Sequence, residues 1–311
     1  MIYVTQGHEK SIAIETFIKS LFLLPERSLT NITYVINLEV LKKNIELLNI
    51  PVKINNTSIE ISNKKIVKCH FFHSTVEQSS LKSIECAIQL LRAGDILVTA
   101  PTSKEKFSIN KNTYAGHTEY LRNLYSDTIT MNFINDNEQI LLLTDHIALK
   151  NVASNLSLES LVNQVSISLS NLLYYFNRDI DKVLISGINP HAGENGLIGV
   201  EDTLIADGCN ILSGKFPKIE FHGPIPADTL GNKVRDSQKC LQVFCFHDQG
   251  LPYFKFKNGL IGLNTTFGLN FLRLSVDHGT AKELYGLNKA NPLGSYYVLK
   301  NALKINEEKK Y

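Results

Sequence analysis

Apolar runs of strand length alternate with stretches of helical period along almost the whole chain, and this alternation restricts it to an α/β architecture. Ile2–Thr5 leads into an amphipathic stretch over Ser11–Leu21, and Ile32–Ile36 into another over Leu38–Leu48. Ile66–Phe72, Ile96–Thr99, Val183–Ile185, Lys218–Phe221, Leu241–Phe246, Leu260–Asn264 and Leu272–Leu274 read as further strands. Val76–Arg92, Leu156–Phe176, Glu201–Leu212 and Ser295–Ile305 carry apolar residues at helical spacing. Thr128–Phe133 and Ile140–Leu143 flank the turn residues Asn135-Asp136-Asn137 and read as a strand pair. The predicted sheet is largely parallel, with helices on both faces. A chain of 311 residues has room for two lobes. It lacks a Pro/Ser-rich linker, so the lobes are predicted to be interleaved around a central cleft.

Charge excludes several partner classes. The formal net charge is +2, from 32 basic and 30 acidic side chains, with no basic patch or tail suited to nucleic acid or an anionic membrane. The first residues read as a strand rather than a secretory signal, and the apolar runs are too short for a membrane span. The five cysteines (Cys69, Cys86, Cys209, Cys240 and Cys245) are odd in number and form no CxxC, which suits a reduced, cytoplasmic setting.

Three histidines follow apolar runs directly: His146 after Ile140–Leu143, His191 after Val183–Ile185, and His247 after Leu241–Phe246. Strand ends are where α/β folds gather their chemistry. Three imidazoles with an open fourth position can hold a divalent metal that still binds substrate. His191 lies in Asn189-Pro-His-Ala-Gly-Glu-Asn-Gly196, where Pro190 stiffens the corner and Glu194 is placed to orient the ring. The plain alternative is a surface turn that contains a histidine. His247 is followed by Asp248, which suits proton transfer or raised ligand basicity. His146, taken alone, reads rather as a satisfied loop residue at a strand end, and only the other two histidines lift it.

Further groups are suited to anions. Gly116-His117-Thr118 at a helix start, after Lys104, Lys106 and Lys111, suits an oxyanion, or else Thr118 is a simple N-cap with His117 facing solvent. Lys255, Asn264 and Arg273 fall on successive apolar stretches, where Arg273 either grips a carboxylate or phosphate or pairs internally with Asp277 or Asp248. Asp277-His278-Gly279-Thr280-Ala281, with Asn291 further on, reads as a loop that closes over a nucleotide or as a capped helix start. Neither a Rossmann fingerprint nor a P-loop is present.

Five blocks in order resemble the 4-hydroxythreonine-4-phosphate dehydrogenase family of vitamin B6 synthesis. They are Gly116-His-Thr-Glu, Gly187-Ile-Asn-Pro-His-Ala-Gly-Glu, Gly223-Pro-Ile-Pro-Ala-Asp-Thr, His247-Asp-Gln-Gly-Leu-Pro and Ser275-Val-Asp-His-Gly-Thr-Ala. The resemblance implies an isopropylmalate dehydrogenase-like fold: a first lobe over 1–110 plus 275–311 on the cofactor side, and a second over 111–274 on the metal and substrate side. It implies a homodimer with an active site shared across the interface. It places metal ligands at His146, His191 and His247, one of them from the partner subunit. It places substrate contacts at His117, Thr118, Lys255, Asn264 and Arg273, catalytic roles at Asp248 and Lys255, and cofactor contacts at Asp277, His278, Gly279, Thr280, Ala281 and Asn291.

The implied reaction is oxidation of 4-phosphohydroxy-L-threonine by NAD or NADP, aided by zinc or by magnesium, cobalt, nickel or manganese. The β-keto acid formed then loses carbon dioxide. The alternatives are oxidation of a related four-carbon phosphorylated acid, such as erythronate or threonate 4-phosphate, and a non-redox or inactive metal-binding relative. This chain departs from the family at Thr5–Ala13, which reads Thr-Gln-Gly-His-Glu-Lys-Ser-Ile-Ala where the family has a loop rich in glycine and proline. The resemblance implies that this loop borders the cleft, so cofactor affinity and turnover are expected to depend on it.

Overall fold

The computed structural model describes residues 1–62, 65–103, 108–109, 112–114, 116–125 and 128–308. Lys104, Lys106 and Lys111 lie outside the described residues. In chain order the elements begin with β1 (Ile2–Thr5), α1 (Ala13–Leu23), β2 (Ile32–Asn37), α2 (Leu38–Leu48), β3 (Lys53–Asn55), β4 (Ser58–Ser62) and β5 (Lys65–Phe72). They continue with α3 (Ser79–Leu90), β6 (Ile96–Thr99), a short ribbon of β7 (Ser108–Ile109) and β8 (Asn112–Thr113), and α4 (His117–Tyr125). Next come β9 (Thr130–Ile134), β10 (Gln139–Leu142), α5 (Val152–Asn155), α6 (Leu158–Phe176), β11 (Lys182–Ser186), α7 (Thr203–Lys215), β12 (Glu220–Ile225) and α8 (Ala227–Leu230). The last are β13 (Cys240–Phe244), α9 (His247–Asn258), β14 (Leu263–Phe267), β15 (Leu272–Val276) and α10 (Leu293–Glu308).

The chain divides into two compact α/β units. Unit 1 comprises Met1–Tyr125, Leu260–Leu263 and Leu269–Tyr311, and unit 2 comprises Ser126–Gly259 and Asn264–Gly268. Thus α4, expected with the second lobe, and β15, which the expected boundary divided, cluster with unit 1.

In unit 1 the strand order is β15-β6-β1-β2-β5-β4-β3, parallel as far as β5 and antiparallel beyond it. These strands are largely apolar because both faces are covered; Ile2, Val35, Ile96 and Leu272 are fully buried. β2 passes straight into α2 because Asn37 caps the helix, its Oδ1 accepting from the N–H groups of Glu39 and Val40 at 3.0 and 3.1 Å.

In unit 2 the order is β12-β11-β13-β10-β9-β14, with β12 through β10 parallel and β9 antiparallel to β10. The predicted pair around Asn135-Asp136-Asn137 is this β9–β10 hairpin, and Asn135 Oδ1 accepts from the Asn137 and Glu138 N–H groups at 2.9 Å each. α6 starts on a Ser157 cap and stops where Asn177 turns left-handed at φ 51°. Predicted strands near Lys218 and Leu260 start later, at Glu220 and Leu263. Sequence patterning places boundaries less well than elements, because tertiary pairing decides the terminal residues.

Candidate active site

His146 and His247 come together because β10 and β13 are parallel neighbours in register, Leu142 opposite Phe244. Each histidine follows its strand by a few residues at the same end. Thr144 ties the two strand ends, its N–H and hydroxyl both donating to the Cys245 carbonyl, at 3.2 and 2.8 Å. The two ring centroids lie 5.6 Å apart. Two imidazoles on one tetrahedral ion, each with a metal–nitrogen bond of about 2.0–2.1 Å, have centroids roughly 5–6 Å apart. The pair therefore fits a shared divalent ion.

His247, just past its strand, is the first residue of α9. Pro252 lies only two turns in, where it removes a single helical hydrogen bond. Gly250 lets the helix lie close on the sheet: a Cβ there would stand 2.7 Å from the Phe244 ring and 2.9 Å from Leu142. The Asp248 carboxylate meets His247 Nδ1 at 2.5 Å, which leaves Nε2 directed elsewhere. That is the arrangement by which a carboxylate fixes the tautomer of a ligating histidine.

His191 stands on an exposed turn between β11 and α7. His191, Ala192, Glu194 and Asn195 all have positive φ, between 45° and 56°, around Gly193 at 78°. Left-handed backbone costs a non-glycine residue about 1–2 kcal/mol, so the surroundings hold the turn. The expected orienting role of Glu194 is not what the geometry displays: Glu194 is exposed, and the carboxylates bonded to the residues leading into the turn are those of Asp202 and Glu201. Among the described residues, no three His, Cys, Asp or Glu side chains of one chain gather where they could hold a metal. Leu197, Ile198 and Val200, just past His191, are 85%, 49% and 66% exposed.

Lys255 lies on α9 and is exposed rather than embedded, while Asn264 on β14 is half-buried. In unit 1, Arg273 is buried on β15, and its Nε and Nη2 donate to Thr99 Oγ1 on β6 at 2.9 and 2.7 Å. Burial pushes its pKa down to about 9, so it is a cation at neutral pH whose desolvation an anionic ligand would relieve. His117 opens α4 and Thr118 lies buried inside the first turn, so Thr118 is not the N-cap that the sequence offered. Burial, and then the Arg273 cation, hold the His117 pKa well below its ordinary value. His117 is thus neutral at physiological pH and meets a ligand as a hydrogen-bonding ring.

The Asp277–Ala281 segment follows β15. His278 Nδ1 is 3.0 Å from the Gly279 carbonyl, Ala281 has φ 41°, and the Thr280 carbonyl accepts from Ile12 N–H at 3.2 Å. Asn291 Oδ1 accepts from Leu293 N–H at 2.9 Å and so serves the start of α10. The divergent loop between β1 and α1 is thoroughly bonded. Gln6 joins Ser79, Ser83 and Asn37, and His8 and Glu9 are 4% exposed. Gly7, at φ 76°, is required there, since a Cβ would come within 2.7 Å of Ala13.

Sequence reasoning overlooked Thr99, Asp202 and Gln249. Gln249 Oε1 accepts from the Ser186 hydroxyl and the Cys245 N–H, each at 2.8 Å, while its Nε2 donates to the Gly187 carbonyl at 2.8 Å. It thereby joins the start of α9 to the end of β11. Its place beside His247-Asp248 was the available signal.

The family described as pyridoxal phosphate biosynthetic protein PdxA matches residues 28–304. A 4-hydroxythreonine-4-phosphate dehydrogenase of Sulfurihydrogenibium sp. is 30% identical over 99% of this chain and 98% of its own length. Six other relatives of that name are 33–37% identical, but the matched stretch spans only 60–66% of their length. A D-threonate 4-phosphate dehydrogenase of Pectobacterium atrosepticum is 29% identical over 84% of the chain and 81% of its own. The crystal structure of a 4-hydroxythreonine-4-phosphate dehydrogenase from Klebsiella pneumoniae aligns with TM-score 0.78 at 24% identity, covering 98% of this chain and 99% of that one, which establishes the fold. With the family match running through nearly the whole chain and a full-length relative at 30% identity, the chain belongs to the PdxA family.

Proposed function

We propose that this chain is a metal-dependent dehydrogenase using NAD or NADP. It oxidises 4-phosphohydroxy-L-threonine to 2-amino-3-oxo-4-phosphooxybutanoate, which decarboxylates to 3-amino-2-oxopropyl phosphate on the route to pyridoxal phosphate. The observation that carries this reading is the His146–His247 pair with its rings 5.6 Å apart and Asp248 on His247 Nδ1. An all-imidazole donor set suits zinc, and accepts cobalt, nickel, manganese or, less readily, magnesium. When bound, the divalent cation polarises the substrate alcohol and the nicotinamide accepts hydride.

The chain's own groups do the rest. Asp248 positions His247 by holding its Nδ1. Arg273, with His117 and Thr118 in the same unit, binds an anionic end of the substrate, and the neutral His117 ring offers a hydrogen bond without a second charge. Lys255 and Asn264, in unit 2, hold the substrate's polar groups, and the Lys255 ammonium is the group we assign to proton transfer. The Asp277–Ala281 segment with Asn291 carries the dinucleotide. The third imidazole, His191, comes from a second copy: it sits on an exposed turn beside the apolar Leu197, Ile198 and Val200, which a homodimer interface would cover. Five free cysteines suit a cytoplasmic enzyme.

The relative named for D-threonate 4-phosphate favours a second reading, oxidation of that phosphorylated acid. Purified protein assayed with NAD and with NADP on each substrate, with and without manganese or zinc, tests both. Metal-dependent turnover of 4-phosphohydroxy-L-threonine is expected. Turnover of D-threonate 4-phosphate alone selects the second reading, and no reduction of either dinucleotide rejects the dehydrogenase.

A further inference from the structure

We propose that Asp202 is the positioning residue of the His191 turn, its buried carboxylate holding His191 in the one backbone conformation from which the imidazole can serve as a metal ligand. The inference rests on the metal site proposed above.

Asp202 stands at the N-cap of α7, where an aspartate ordinarily accepts from the first free N–H groups of its own helix. Here it makes no such cap. Its carboxylate turns to the residues leading to His191 instead. Oδ1 accepts from Ile188 N–H at 2.6 Å, and Oδ2 accepts from Asn189 N–H at 3.2 Å and Asn189 Nδ2 at 2.9 Å. The group is 4% exposed, so these donors have little water to fall back on.

Two glycines make room for that carboxylate. A Cβ on Gly187 would stand 2.7 Å from Asp202 Oδ1, and one on Gly193 would meet first the Gly199 carbonyl oxygen and then Asp202 Oδ2 at 2.9 Å. Gly193 lies in the middle of the left-handed run His191–Asn195, and Gly187 lies just before it. The carboxylate therefore touches the turn on both sides of His191: through hydrogen bonds at Ile188 and Asn189, and through close packing at Gly193. His191 itself is exposed, and the Asp202 carboxylate bonds to Ile188 and Asn189. Its influence passes through the backbone.

The test is a double-mutant cycle on affinity for Mn²⁺, read by calorimetry on the full-length protein with circular dichroism as the folding control. His191→Ala, Asp202→Asn and the double variant are compared with the parent. Asp202→Asn keeps shape and volume but sets an amide N–H against the donors of the turn. Outer residues that orient ligands change metal affinity by roughly 10- to 100-fold. The expected result is a loss of that size for Asp202→Asn alone, and no further loss when it is added to His191→Ala. If His191→Ala weakens Mn²⁺ binding and Asp202→Asn does not, or if the two losses multiply, the positioning role is wrong while the metal site stands. If His191→Ala leaves Mn²⁺ binding intact, the shared metal site is wrong and the positioning role falls with it. Should Asp202→Asn fail to fold, Asn189→Ala removes the side-chain donor to Asp202 Oδ2 instead, with the same non-multiplying loss expected and the same refutation.

Discussion

Glu138 is fully buried in the β9–β10 turn, and Lys257 from the last turn of α9 places its Nζ 2.9 Å from the carboxylate. Asn258 Nδ2 donates to the same carboxylate at 2.5 Å, and Gln242 and Tyr253 approach at 3.4 and 3.5 Å. The far end of the helix that begins at His247 is thus fastened to a hairpin. Glu138→Ala strips an acceptor from several donors, most of them shielded from water, and is expected to cost about 2–4 kcal/mol. Lys257→Ala should cost less, because the half-exposed ammonium contributes weakly and Asn258 still satisfies the carboxylate. Urea denaturation midpoints check the order, and a larger loss for Lys257→Ala would contradict it.

His117 predicts an acid-side loss of stability. Its folded pKa is held well below 6.5, so the unfolded chain takes up a proton there before the folded one does. Stability must then fall as pH drops below about 6.5 and must be unaffected by this group above that value. Replacing His117 with Asn should flatten the decline between about pH 7 and 5. Denaturation curves at both pH values measure it, and an unchanged slope would show that the ring titrates alike in both states.

Asp248→Asn should weaken divalent-metal binding through His247. The loss belongs near the low end of the range for orienting carboxylates, about 10-fold, because the Asp248 side chain is 84% exposed. Calorimetric titration with Mn²⁺ reads this directly, and parent-like affinity would mean that the 2.5 Å contact does not tune the ring.

Leu197→Asp tests the proposed partner surface. A charge on a side chain now 85% exposed costs an isolated chain almost nothing, but it opposes burial against a second copy. Sedimentation should show dissociation, with metal affinity falling in step as His191 is withdrawn. A stable dimer with full metal affinity would place the interface elsewhere.

The alternation of strand and helix patterns was enough for the architecture, since each central strand had to be apolar on both faces and each helix on one. The hairpin at Asn135–Asn137 was legible for a local reason, because Asn135 bonds its own following backbone. α9 was not legible: Pro252, Gly250 and several polar residues look like loop residues until the sheet supplies Phe244 and Leu142 to pack on. Individual histidines were readable as strand-end residues, and His146 and His247 do meet. The roles of Asp202 and Thr99 were invisible, because both act on residues brought to them only by the fold. Lys255 shows the opposite error, since an apolar neighbourhood in sequence did not translate into burial.

The division of the chain also fixes an order of assembly. Unit 2 is built from 126–259 and 264–268, whereas unit 1 needs β15 between its middle strands' edge and the C-terminus, with α10 packed on α1. On the ribosome, β1 to β6 emerge well before β15 and α10, which complete their unit, whereas the unit bearing His146, His191 and His247 has all its strands once β14 is made. Nascent-chain folding should therefore complete unit 2 before unit 1, although unit 1 is begun first.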